Sequence, residues 1–561
     1  MSFLLKLMTF LCVVLSFQGY SNPQMGFEAR YSEDSLGRRV LLDEQAIRVK
    51  SIELVETSFP RFIAEHQKIS DEKIVVLRSG SKAQIDSVLM SRAVDTRPAL
   101  LASESEADNQ DEVVTLVHSG PSENRVDVVF MGDGYTIEER DLFFSDMRRM
   151  VDDMFREQTF RSYLPLFNVH VVFRASNESG IGKNGKAKDT AYELARSGDT
   201  LRAIFPGNTY AARSSCKKAP GCDYPVIIAN DPYYGGLGGE YAISTSSVTS
   251  GTKVLRHELG HNFGRVGEEY DGGRYFGKNH ATRLRNITWK HWLTEPGKVK
   301  AEPSKLLLVD WPWHNLSKGK LSLPFRGTGD SVSASLKISA SGLDTDGSLD
   351  IKIDGESLEF SGPGTKDRMF HEYDFSTAFS KGRHEISFES VVKDGDNWVS
   401  SVAIQEYGPG YHFDRSFIGA YPMYNAGGKV DGYRPNHQTC LMRDMNSKVF
   451  GVVCQENNWM EFFDIVELID SLKFERSAGK VTVSLSTLKI GQYYSNSRDD
   501  SHISIHWYKD GKEVESLRGL DSWSMESDLV KGKWLVKTQF SSPEIRKDFS
   551  KFYDSASIEI D

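Results

Sequence analysis

The stretch Ser247-Val-Thr-Ser-Gly-Thr-Lys-Val-Leu-Arg-His257-Glu258-Leu-Gly-His261-Asn-Phe-Gly264 reads as one helix with a start and an end. Thr252 or Ser250 can cap it, and Gly264 can stop it. His257 and His261 stand four residues apart, so both imidazoles project from one face and can share an ion. Glu258 follows on the same turn, where it can take a proton from a water acidified by that ion. With 14 histidines in the chain, chance placement gives this pentapeptide in roughly two or three chains per hundred of this size. The surroundings lower that further, because the helix is capped and follows a strand. The expectation is two ligands of one catalytic Zn2+ ion, His257 and His261, with Glu258 as general base.

A catalytic zinc site needs a third protein ligand and an open position for water. After Gly264 the chain runs Arg265-Val266-Gly267-Glu268-Glu269-Tyr270-Asp271. A carboxylate oxygen is a legitimate zinc ligand, and Glu268 is preferred over its neighbour Glu269. The acid not chosen is expected to support a ligand or to lie on the surface.

Outward from the helix the pattern alternates. Val126-Asp-Val-Val-Phe-Met131 reads as a buried strand ended by Gly132-Asp133-Gly134. Thr136 with Glu139 has capping-box spacing. The helix it opens carries an apolar stripe at Phe143, Met147, Val151 and Phe155. Strands at Asn168–Phe173, Pro225–Ala229 and Tyr241–Thr245, with a further helix near 188–204, complete an α/β domain. Residues 302–406 and 472–561 instead alternate in period two between Gly, Asp and Ser turns, which predicts β-sandwiches. Asp510-Gly511 is a hairpin signal. Residues 22–98 read as a β-rich accessory or pro-segment, and the acidic run in 99–112 as a linker.

The chain's beginning has one Lys, an apolar run from Leu7 to Phe17 and small residues at Gly19 and Ser21. This predicts a signal peptide over 1–21 and a secreted or extracellular protein, with periplasm or cell surface as alternatives. Of five cysteines, Cys12 would leave with that segment. The remaining four predict two disulfides, Cys216–Cys222 and Cys440–Cys454. A net charge of −10 without a basic patch argues against nucleic acid as a partner, and no later run approaches the ~18 apolar residues of a membrane span.

Several motifs together resemble the IgA-peptidase family of metallopeptidases, family sixty-four: Gly132-Asp-Gly-Tyr-Thr136, His257-Glu-Leu-Gly-His261 with Gly267-Glu-Glu-Tyr270, Asn286-Ile-Thr-Trp289, and Tyr433-Arg-Pro435 before Cys440-Leu-Met442-Arg443. The resemblance covers about 113–300 and 407–470. It implies a metzincin-like α/β peptidase core, with zinc held by the two helix histidines and an acid in an Ala-Asp-Glu-Tyr-type segment. The family's aspartate falls on Glu268. Met442 would then lie in the Met-turn, and the peptidase domain would be split into 113–301 and 407–471 by the sandwich at 302–406. A secreted zinc endopeptidase acting on protein or peptide substrates is the resulting expectation.

Two substrate-side expectations accompany it. An extended peptide is expected to pair with the strand edge at Tyr241–Ser244, beside the glycine-rich run Tyr233-Tyr-Gly-Gly-Leu-Gly-Gly-Glu240. Tyr433 or Arg434 is expected to stabilise the oxyanion, or else to be structural. The rival reading from another class is a surface adhesin or carbohydrate-binding protein on an idle peptidase scaffold, with glycan or cell-surface contact through its β-sandwich modules. Glu258 weighs against it, since a scaffold does not need that residue.

Overall fold

The structure is a computed structural model. It describes residues 111–561 apart from 157–158, 274, 298 and 492–500, together with four strands nearer the N-terminus. The expected signal peptide and most of the acidic linker lie outside the described residues. The four early strands, Met25–Glu33, Arg39–Arg48, Glu53–Val55 and Lys73–Ser79, form one antiparallel sheet.

The remainder is rich in strands and poor in helices. Its centre is a five-stranded sheet built from β1 (Glu112–Val117), β2 (Val126–Asp133), β3 (Phe167–Phe173), β4 (Tyr224–Ala229) and β5 (Ala242–Thr245). The order is β5-β4-β2-β3-β1. β2 to β5 run parallel, and β1 is antiparallel to β3. Parallel strands need helical crossovers and burial on both faces, and alternate residues of β2 go to opposite sides. Val126, Val128 and Phe130 pack with α1 (Arg140–Arg156) and α3 (Gly251–Gly264). Val129 and Met131 pack with Ala211 and Ala212 of α2 (Thr209–Cys216).

The capping box forms as expected, with Thr136 and Glu139 bonding reciprocally at the turn before α1. The stripe Phe143, Met147, Val151 and Phe155 is buried. The helix expected near 188–204 does not form. There the Asp133 carboxylate accepts from Thr190 Oγ1 and from the backbone N–H groups of Tyr192 and Leu194. Those donors are thereby held in a loop with two short strands, Ala195–Arg196 and Ile204–Phe205.

Residues 304–407 make two antiparallel sheets around Leu336, Ile338, Ile351, Ile386, Phe388, Val402 and Ile404. Residues 469–560 make another pair of sheets, whose core holds Trp507, Trp523 and Trp534. Asp510 and Gly511 take positive φ, 49° and 82°, at the tip of a hairpin, as an Asp-Gly turn requires. Among the described residues, no helix is long and apolar enough to cross a membrane.

The C-terminal sheets are joined to the central core. Trp459 of α4 (Val452–Phe462) lies 4.7 Å from the Phe540 ring, and its indole N–H donates to Glu544 at 2.7 Å. Phe540 and Phe552 share one apolar cluster with Phe462, Phe463 and Phe263. Trp459→Ala is therefore expected to lower stability by about 3–5 kcal/mol, read as a shifted denaturant midpoint. A loss below about 1 kcal/mol would mean that this joint carries little of the fold.

Cys216 and Cys222 are disulfide-bonded. The second expected bridge is absent: Cys440 and Cys454 are free, their sulfurs 3.5 Å apart, against about 2.05 Å for a bond. The Cys440 thiol instead donates to Cys454, whose own thiol donates to Glu269 Oε1.

Candidate metal centre

α3 follows β5 after a five-residue turn, and its packing explains its glycines. A Cβ on Gly264 would stand 2.3 Å from Asn458 Oδ1 of α4. Gly264 is thus needed for close packing of two helices, while Arg265, at φ 48°, makes the left-handed turn that ends the helix. A Cβ on Gly260 would meet Met442 Sδ at 3.0 Å. Met442 therefore lies directly against the helix, on the turn between its two histidines.

The rings of His257 and His261 are 5.0 Å apart, the consequence of four-residue spacing. Glu268 reaches both: its Oε2 is 3.0 Å from His257 Nε2 and its Oε1 is 3.1 Å from His261 Nε2. The three candidate donor atoms lie within 4.8 Å of one another. Each imidazole is oriented from behind. His257 Nδ1 is 3.2 Å from Leu441 O, and His261 Nδ1 is 2.8 Å from Val266 O. A carbonyl only accepts, so each Nδ1 carries the proton and each Nε2 presents its lone pair to the centre. Two such lone pairs facing a carboxylate are three acceptors meeting at one point, which demands a cation or added protons. This donor set, two imidazole nitrogens and one carboxylate, fits zinc.

The electrostatics agree. Burial disfavours protonation of His261, but Glu268 beside it outweighs this and raises its pKa to about 9. His257 moves up for the same reasons. Burial pushes the Glu268 carboxyl up, yet the two imidazoles hold it well below the usual carboxylate range. Burial raises Glu258, and the two imidazoles offset it only in part.

Glu269 is turned away from the pair of imidazoles. It is fully buried, and its Oε1 accepts from Asn279 Nδ2 at 2.8 Å. Its backbone N–H donates to Met442 O at 2.9 Å, and its carbonyl accepts from Arg443 Nη1 at 3.1 Å. Burial raises its carboxyl to a pKa of about 7. Glu269 thus ties the segment after α3 to the turn that carries Met442. Asn279 adds two bonds to Gly267, and Arg443 pairs with Asp271 at 2.8 Å. The sequence marks Arg443 only as part of the Met442 motif and Asn279 not at all, because no local spacing reveals a partner that far along the chain.

Of the two oxyanion candidates, Arg434 has its guanidinium taken up by the fold. Arg434 is fully buried, donating to Pro422 O and His437 O. Tyr433 pairs with Ala281 through the backbone and packs by Trp289. The expected edge for a peptide is also taken at its middle. Leu237 of the glycine-rich loop exchanges both backbone hydrogen bonds with Ile243 of β5, at 3.1 and 2.8 Å. That loop faces Glu258: a Cβ on Gly238 would stand 2.8 Å from Glu258 Oε2.

No curated protein matches the chain. Among solved structures, a ruminal GH26 endo-β-1,4-mannanase is 12% identical with a TM-score of 0.13, over 17% of this chain and 19% of that one. The CBM35 from Cellvibrio japonicus Abf62 is 13% identical with a TM-score of 0.14, over 19% of this chain and 91% of that one. The CBM36-1 domain of a multidomain xylanase from the hindgut metagenome of Trinervitermes trinervoides is 17% identical with a TM-score of 0.14, over 19% and 98%. Likenesses this slight carry no argument here. The family described as IgA Peptidase M64 matches residues 114–301, a stretch that holds α3 and Glu268 and stops before the block at 407–470 that the resemblance also took in. Residues 114–301 thus resemble the IgA peptidase M64 family, a match that implies a peptidase.

Proposed function

We propose that the protein is a secreted zinc endopeptidase of metzincin-like type, with His257, His261 and Glu268 as metal ligands and Glu258 as general base. The observation that carries this reading is the convergence of three acceptor groups, with both imidazoles locked by backbone carbonyls, beside the half-buried carboxylate of Glu258. When bound there, zinc supplies Lewis-acid polarisation of the scissile carbonyl and acidifies a water. Glu258 accepts the proton that leaves the attacking water and returns it to the nitrogen of the departing amine. Burial holds that carboxylate in a poorly solvated place, which favours its taking a proton. Leu441 O and Val266 O keep each imidazole in one tautomer throughout, and Met442 beneath Gly260 keeps the ligand helix from shifting. The Cys216–Cys222 disulfide fits an oxidising, extracellular setting.

Metal analysis of the purified chain is expected to give about one zinc per molecule, with casein hydrolysis lost to a chelator and restored by zinc. Hydrolysis that survives complete removal of metal would sink the proposal. A pH dependence follows from the imidazoles. In the metal-free site Glu268 raises both pKa values, that of His261 to about 9, so His261 holds its proton near pH 7. Zinc binds only the neutral ring, so binding at pH 7 displaces protons, and affinity rises with pH until it levels above about 9. Titration calorimetry in buffers of different ionisation enthalpy measures this release; binding without it would mean that the imidazoles are not ligands.

A further inference from the structure

We propose that Asp367, from the strand-rich segment 302–406, is a positioning residue that holds the glycine-rich loop against Glu258 and closes the N-terminal end of α3. The proposal rests on the peptidase reading of that site.

Asp367 is only 2% exposed and its carboxylate is fully used. Oδ1 accepts from the backbone N–H of Tyr234 at 2.5 Å and of Arg368 at 2.7 Å. Oδ2 accepts from Ser247 Oγ and Ser250 Oγ, each at 2.7 Å. The two serines lie at the start of the metal-ligand helix. Ser250 is its N-cap by position but makes no side-chain cap, and the first turn has no acidic residue. The Asp367 carboxylate, more than a hundred residues later in the chain, supplies the negative charge that a helix N-terminus favours.

The same carboxylate grips the loop. Tyr234 is held at its N–H by Asp367 and at its carbonyl by Arg196, while Leu237 is held by Ile243. Between and just beyond these tethers lie Gly236 and Gly238, where added Cβ atoms would stand 3.5 and 2.8 Å from Glu258 Oε1 and Oε2. The loop is therefore a backbone wall against the general base. Arg368 adds a second hold, its guanidinium 4.8 Å from the Tyr234 ring. Losing Asp367 leaves the Tyr234 and Arg368 N–H groups and the Ser247 hydroxyl without their acceptor, and leaves Ser250 only its 3.1 Å contact to Ser247, a loss that a buried site does not make good with water. The segment between the metal helix and residue 407 thus contributes to the catalytic centre directly, as a brace.

The test uses the full-length, zinc-loaded chain with Asp367→Ala and Asp367→Asn, the latter keeping one oxygen for Tyr234. Amide exchange across residues 235–240 is expected to speed up by about tenfold or more in Asp367→Ala, with a smaller rise in Asp367→Asn. On dye-quenched casein, kcat is expected to fall about tenfold or more while KM moves less than about threefold, because the base is displaced and not the substrate. A merely structural role would lower the unfolding midpoint and spread faster exchange over the whole chain. Loop exchange within about twofold of the parent in a folded variant overturns the proposal, and so does the failure of both variants to fold. If the parent itself does not cleave casein, the peptidase reading fails, while loop exchange still decides the brace.

Discussion

Glu258→Gln is expected to retain about one zinc per chain and to lose about a thousandfold or more in kcat/KM on a protein substrate. The amide has nearly the shape of the carboxylate, so the packing of Gly236 and Gly238 against it is preserved. His257 and His261 keep their carbonyl partners, Leu441 and Val266, so the ligand geometry has no reason to change. What disappears is the carboxylate that takes the proton from the attacking water. A thousandfold corresponds to about 4 kcal/mol of transition-state stabilisation, within the span that one acid–base group supplies. Metal content and initial rates on the same preparation decide it. A variant that holds zinc and digests casein as fast as the parent removes Glu258 from the mechanism.

Glu268→Ala is expected to weaken zinc binding by more than about a hundredfold, beyond the range typical of a residue that only supports a ligand. Glu269→Gln is the matched comparison. It keeps Glu268 in place and disturbs only the bonds from Asn279 and the Cys454 thiol, so it should weaken binding by about tenfold to a hundredfold at most. The metal-free proteins give an independent reading. The raised pKa of His261, about 9, comes from Glu268 working against burial. In Glu268→Ala it should therefore fall toward the ordinary histidine range near 6.5 or below, and in Glu269→Gln it should stay high. Competition with a chromophoric chelator measures the first quantity and NMR titration of the imidazoles the second. If Glu269→Gln proves the more damaging to zinc, the roles of the two acids are exchanged.

What could be read in advance shares one property: it depends on residues close together in the chain. The pairing of His257 with His261 follows from 3.6 residues per turn, and the Thr136–Glu139 box and the Asp510-Gly511 turn follow from equally local rules. The errors share the opposite property. A helix was expected near 188–204, but Asp133 draws that segment's N–H groups into a loop from more than fifty residues away. Thr252 or Ser250 is expected to cap α3, but Ser250, which takes the N-cap position, turns its hydroxyl to Asp367. A disulfide was expected between Cys440 and Cys454, but the fold leaves the two thiols in a hydrogen-bonded file leading to Glu269.

The choice between the two adjacent glutamates shows where the division falls. Composition and spacing narrowed the third ligand to Glu268 or Glu269, since either carboxylate could reach an ion held by the helix. Their side chains leave the backbone in different directions, and which one turns inward depends on the path of residues 265–271. That path is held by Asn279, Met442 O and Arg443, the last two about 170 positions further along. No periodicity encodes such contacts, because they exist only once distant segments have packed. The helix and its two histidines are a matter of local sterics, whereas the acid that faces them, the carbonyls that orient them and the aspartate that braces the loop are products of long-range packing.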